Sequence, residues 1–251
     1  MDEENIGALF IEAAESGGDV TDWVNALNEG YGTYNEVDNI AEYVGDEIAK
    51  RLQAVYSDER LRKFVEEGHQ VITEAGVQAQ SNLNDAAKIG IKPKVMKCPE
   101  AKIDDLIYEI AGLDSDALNA ILKAEIPSLM MSMVDDMVEY NADFQADAGL
   151  SPYIVRTWSG MYPSHDTKHT DWCHDLAGTY NYRDRPDNVF ARHRGCRCKV
   201  EYFPSKGAKG QIAALAKGEV DREGVLWNTN PETLQKRIAR MERREARERN
   251  K

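Results

Sequence analysis

The fold turns on "SPYIVRTWSG", residues 151–160. Tyr153, Ile154, Val155, Thr157 and Trp158 are aromatic or β-branched residues that suit a pleated surface, and Gly160 stops the run, so a strand is expected. Upstream the period is different. In "YNEVDNIAEYVGDEIAKRLQAVY" (34–56), Val37, Ile40, Val44, Ile48, Leu52 and Val55 recur at steps of three and four, as on one buried face of a helix. Ser57 and Asp58 offer a cap for a second helix over 58–83. "IKPKVMKCPEAK" (91–102) holds two prolines and reads as a connector. Two more helices are expected, "IDDLIYEIAG" (103–112) and one around 129–149. The latter carries Met130, Met133, Met137, Tyr140 and Phe144 on one stripe, which is core or partner-helix surface, and Gly149 ends it.

Downstream of 160 the elements are short: a histidine-bearing loop, a helix at "DWCHDLAG" (171–178), and strands at "TYNY" (179–182) and "KVEYF" (199–203). The expected class is therefore α+β. A mostly helical region, 1–148, is followed by a small cysteine- and histidine-bearing unit, 149–204, and then by 205–251, a linker and a basic C-terminal helix. A unit of 149–204 is too short to bury much core alone, so it packs on the helices, is tied by a metal, or both.

The net charge of −13 is split unevenly. Residues 1–150 hold 11 Lys+Arg and 31 Asp+Glu, and residues 151–251 hold 20 and 13. An acidic half repels DNA, so any phosphate contact belongs to the C-terminal half. The candidates are Arg192, Arg194, Arg197 and Lys199, beside Phe190, Tyr202 and Phe203, and Lys236, Arg237, Arg240, Arg243, Arg244 and Arg247 in the last helix. An acidic protein partner suits the same residues. The longest apolar run, "LNAILKAEIPSLMMSMV", is broken by Lys123, Glu125 and Pro127, so no membrane span is expected. The acidic N-terminus predicts no export, which favours metal binding or plain thiols over disulfides.

Four of the five histidines and three of the four cysteines fall within residues 165–198, and Cys98 stands apart. Zinc prefers four sulfur or imidazole ligands, usually delivered as close pairs from separate turns. Cys196 with Cys198, or His193 with Cys196, supplies one pair, and Gly195 permits the tight turn between them. Cys173 needs a companion, for which His169 and His174 are the substitutes. Thiols and imidazoles packed in a small polar core are the alternative. For catalysis, no cysteine-protease, deaminase, phosphate-loop or nucleophile-elbow signature is present.

The run "GLSPYIVRTWSG … DWCHDLAGTYNYRDRPDNVFARHRGCRCKVEYFP" (149–204) resembles the phage Mu protein F-like family of minor head, or head-morphogenesis, proteins of tailed bacteriophages. The resemblance is carried by Trp172, Cys173, Leu176–Tyr180, Arg192, His193, Cys196, Arg197, Cys198 and Val200–Tyr202. Thr170 stands where that family has a first cysteine. The resemblance implies a structural, non-enzymatic virion component of the phage head, present in host cytoplasm during assembly. Its implied partners are portal protein, major capsid or scaffolding protein, and double-stranded DNA. It also implies a metal set of Cys173, His193, Cys196 and Cys198, with zinc as the ion. The alternative function is a zinc-dependent nucleic-acid-binding protein or hydrolase.

Overall fold

A computed structural model describes residues 5–160, 171–205 and 212 of the chain. Six helices come first: α1 (Ile6–Glu15), α2 (Asp19–Glu29), α3 (Tyr34–Val55), α4 (Asp58–Ala87), α5 (Glu100–Ile110) and α6 (Ser115–Asp147). Strand β1 (Tyr153–Thr157), the single turn α7 (Asp171–Asp175), β2 (Gly178–Asn181) and β3 (Lys199–Phe203) follow. The class is α+β, mostly helical, with the sheet after the helices.

The helix starts follow local chemistry. Thr33 caps α3 in a capping box with Glu36, Ser57 accepts the Arg60 N–H at the start of α4, and Asp114 accepts the Ala117 N–H at the start of α6. The expected face of α3 is buried at Val37, Ile40, Val44, Ile48 and Leu52, whereas Val55 is exposed. On α6 the stripe is buried at Met130, Met133, Met137 and Phe144, but Tyr140 is exposed.

Pro127, which interrupts the apolar run in sequence, lies inside α6 and does not end it. A proline there removes one backbone donor and crowds the preceding turn, a cost usually met by close packing on that side. Gly45 of α3 provides the packing. A β-carbon at Gly45 would fall inside van der Waals distance of Pro127 Cα and 3.0 Å from its nitrogen. Accordingly α3 and α6 share the most extensive interface between elements. By length and composition α6 is the one described helix able to cross a membrane, and in this fold its apolar residues form core.

The sheet is antiparallel in the order β2-β1-β3, with Ile154 opposite both Tyr180 and Tyr202. Its inner residues Tyr153, Ile154, Val200, Tyr202 and Phe203 join the same core as the α3, α4 and α6 side chains. The buried Tyr202 hydroxyl donates to Gln145 of α6, and Tyr34 Oη donates to Gln80 Oε1 of α4 at 3.0 Å. The sheet is thereby seated on the helical body. Of the expected linker and basic C-terminal helix, Lys236, Arg237, Arg240, Arg243, Arg244 and Arg247 lie outside the described residues, and Ile212 is buried in the core.

Candidate metal centre

Cys173 comes from α7, and Cys196 and Cys198 come from the turn leading into β3. All three are about 1% exposed and form their own cluster beneath Trp158 and Trp172. Cys173 Sγ lies 3.7 Å from Cys196 Sγ and 3.2 Å from Cys198 Sγ, and all three cysteines are free thiols. Gly195 has φ +69°, a left-handed conformation that lets the Cys196 N–H return to the His193 carbonyl at 3.0 Å. That closed H-x-x-C turn brings His193 alongside, so Cys173, His193 and Cys196 offer donor atoms all within 4.8 Å of one another. These residues can hold a metal ion.

The tautomer of the imidazole suits ligation. His193 Nδ1 lies 2.9 Å from the Arg194 carbonyl. A carbonyl only accepts, so Nδ1 carries the proton and the Nε2 lone pair is available to a metal. The Trp172 ring packs edge-on to His193 at 5.9 Å. His174 faces elsewhere: it packs on Trp158 at 4.9 Å and lies 3.6 Å from Asp175. His165, His169 and Thr170 fall outside the described residues.

The sulfur spacing fits tetrahedral chemistry. Metal–sulfur bonds of about 2.3 Å in a tetrahedron put sulfurs about 3.8 Å apart, which Cys173 and Cys196 nearly match. Cys198, 3.2 Å from Cys173, is outside the set of donor atoms that lie within 4.8 Å of one another; to serve as the fourth ligand it would have to shift relative to that set, opening by about 0.6 Å from Cys173. Hydrogen bonds from Cys173 and then Cys196 hold the Cys198 thiol below its ordinary pKa, whereas those from Cys173 and then Cys198 push Cys196 up and Cys173 is raised as well, so Cys198 is the first of the three to ionise.

Two further groups complete the surroundings, and both were missed from sequence. Arg156 of β1 is 2% exposed. Its Nη2 donates to Cys173 Sγ at 3.2 Å and to the Ala191 carbonyl at 2.9 Å, and its Nη1 donates to the Val189 carbonyl. The second is a pair of buried helical carboxylates, Asp38 of α3 and Asp135 of α6, facing Arg192. Arg192 makes a bidentate pair with Asp135, at 2.5 and 2.8 Å, and donates to the Cys198 carbonyl at 2.7 Å. Asp38 accepts the Val200 N–H at 3.0 Å and lies 3.9 Å from Arg192. Burial pushes the Asp38 carboxyl well up, and Arg192 offsets this only in part. Burial also works against the Arg192 charge, but Asp135 outweighs it and holds the guanidinium protonated.

This corrects the expected cationic edge. Arg192 cannot touch an external partner, because its side chain is 6% exposed and fully engaged inside. Arg197, 13% exposed, pairs with Glu42 and Asp46 of α3, and Lys199 reaches Asn35 and Asn39. Arg194 is at the surface yet pairs with Glu109 and Glu125. All four cations are turned toward the helices, Arg192, Arg194 and Arg197 from the short loop before β3 and Lys199 from the first position of β3. The sequence signal for their partners is that Asp38 and Asp135 sit on apolar stripes, between Val37 and Ala41 and between Val134 and Val138. Comparisons with family models, with curated proteins and with solved structures return no match.

Proposed function

We propose that this chain is a structural minor head protein of a tailed bacteriophage, with a zinc ion bound by Cys173, His193, Cys196 and Cys198 as a fold-closing knuckle. One observation carries the reading. From the family-like run "DWCHDLAGTY … RHRGCRCKVEY", Cys173, His193 and Cys196 bring donor atoms within 4.8 Å of one another, with Cys198 buried against Cys173 and the whole docked against the helical body. Structural zinc sites use four protein ligands and leave no open position, whereas catalytic ones keep a position for water. Three buried thiols and one imidazole make a closed, sulfur-rich set, which favours a structural role over a hydrolase. Zinc, when bound, cross-links α7 to the turn before β3. The chain's own residues seat that cross-link on α3 and α6 through Arg192, Arg194 and Arg197. The partners that suit this role are the portal, with major capsid or scaffolding protein, and double-stranded DNA.

The test is co-expression with the portal and capsid proteins of the same genome, paired with metal analysis and a nuclease assay. The expected result is co-purification with portal or proheads, one zinc per chain, and no nuclease activity. His193→Ala should lose zinc and folding without losing any activity. Failure to associate with portal or proheads, together with normal infectivity after deletion, would refute the head role. Metal-dependent cleavage of DNA abolished by His193→Ala would establish the hydrolase instead.

A further inference from the structure

We infer that Arg156 is the charge-balancing and positioning residue of the metal centre. The inference rests on the zinc reading above and adds a residue to it. Three thiolates and a neutral imidazole around a divalent ion leave a net charge of −1. All three sulfurs are buried, and an uncompensated buried charge is expensive. Two guanidinium groups come near the cluster. Arg192 is already committed to the Asp135 carboxylate and faces Asp38 as well, so its charge is consumed on that side. Among the described residues Arg156 makes no hydrogen bond or ion pair with a carboxylate, and Asp135 feels its charge only at longer range; its direct partners are two carbonyls and the sulfurs, with Cys196 Sγ at 4.0 Å beyond Cys173. Its Nε, buried, has no hydrogen-bond partner among the described residues. A 2%-exposed arginine whose direct contacts are two carbonyls and thiols, with no carboxylate touching it, is explained by thiolates in the working state.

Its fork also sets the geometry. By donating to the Val189 and Ala191 carbonyls, Arg156 ties the segment that precedes His193 to β1, while the same guanidinium reaches Cys173 on α7. One side chain thus fixes the distance between the two sources of ligands. Partners of this kind around a metal's ligands change affinity about 10–100-fold. A neutral centre built from three sulfurs, one nitrogen and an arginine suits a divalent ion that accepts tetrahedral thiolate ligation.

The test uses the full chain, stripped of metal under reducing conditions and titrated with Co²⁺, then with Zn²⁺ against a chromophoric chelator. Wild type should show a thiolate-to-cobalt charge-transfer band. If it shows none, the zinc reading itself fails, and this inference with it. Arg156→Gln, folded by circular dichroism, should bind about 10–100-fold more weakly, and Arg156→Lys, which keeps the charge, less weakly than Arg156→Gln. Metal binding by Arg156→Gln within about threefold of wild type, or an Arg156→Lys as weak as Arg156→Gln, overturns the charge role while leaving the zinc reading intact. Should Arg156→Gln fail to fold, Arg156→Lys alone is compared with wild type, and a loss below about threefold despite the broken fork overturns the positioning role. The charge role is read separately in Cys196→His: two thiolates and two imidazoles around a divalent ion are neutral without the arginine, so Arg156→Gln should cost less affinity in that background than in wild type. A loss as large in the Cys196→His background as in wild type refutes the charge role.

Discussion

Replacing Arg192 by methionine tests whether this arginine is an internal latch or a contact residue, because the two roles differ severalfold in energy. Arg192 and Asp135 are 6% and 2% exposed and meet through two hydrogen bonds, and the same guanidinium holds the Cys198 carbonyl. Removing one member of a buried pair leaves an uncompensated charge and costs about 3–5 kcal/mol. In Arg192→Met two carboxylates, Asp38 and Asp135, are stranded together, which argues for the upper part of that range. The total stability of a domain is about 5–15 kcal/mol, so the loss should be plain in urea unfolding followed by far-UV circular dichroism at pH 7. Arg183→Met is the internal control. Its pair with Asp147 is 3.3 Å long and more than half exposed on both sides, worth about 0–1 kcal/mol. The deficit of Arg192→Met should also depend on pH. Stranded buried carboxyls have folded pKa values above their unfolded values, so their penalty is absent when both are protonated and grows as pH rises through the folded values. The deficit therefore shrinks in acid. Arg192→Met/Asp135→Leu should lose less than the sum of its single changes, because it removes both charges. An Arg192→Met protein within about 1 kcal/mol of wild type, or single changes that simply add, would refute the latch.

Asp38→Asn should be neutral to stabilising at pH 8 and lose that advantage toward pH 4. Burial raises the Asp38 carboxyl, so wild-type stability from this group is full in acid and falls as pH rises through the raised value, while asparagine still accepts the Val200 N–H; urea midpoints across pH 4–8 check this. Gly45→Ala should destabilise by about 1–3 kcal/mol, although alanine is the better helix former by about 1 kcal/mol, because Pro127 leaves no room for a methyl group; thermal unfolding at or above the wild-type midpoint would contradict the close approach. Chelation of the zinc-loaded chain should lower its melting temperature and expose three buried thiols to a thiol reagent, whereas Cys98→Ser should change neither response.

What the sequence made legible was periodic. The α3 face, the β1 run and the "KVEYF" strand each announce themselves through side-chain spacing within one element, and tertiary packing agrees with that spacing. Pro127 is accommodated inside α6 by a glycine 82 positions earlier, Gly45, a close approach that no spacing within α6 could reveal. Cys173, His193, Cys196 and Cys198 were visible because their types are rare and their spacing is short. Arg156 was not. A strand residue flanked by Val155 and Thr157 gives no local reason to be buried and charged, and its reason lies in sulfurs 17 and 40 residues away. Asp38 and Asp135 were readable in principle as acids on apolar stripes, but an arginine edge that looks exposed in sequence hides its partners.

The split in charge acquires a different meaning once those partners are placed. Arg183, Arg185, Arg192, Arg194 and Arg197 reach Asp147, Glu139, Asp135, Glu125 and Asp46 respectively, all on α3 or α6. The cationic sheet unit is therefore the counter-surface of the acidic helices before it is anything to an outside partner. These pairs are unequal. The outer ones are worth a fraction of a kcal/mol each and are screened by salt, while the buried Arg192 site is not. Salt should thus loosen the rim of this interface and leave its centre, Arg192 with the thiol cluster behind it, intact. Within the described residues, the positive charge of residues 183–199 is largely neutralised in place, so a DNA contact, if the proposed head role includes one, falls to Lys236–Arg247 and their neighbours. Deleting 236–251 should then abolish salt-sensitive DNA binding, while neutralising Arg194 and Arg197 should weaken the seating of the sheet and leave DNA binding as it was.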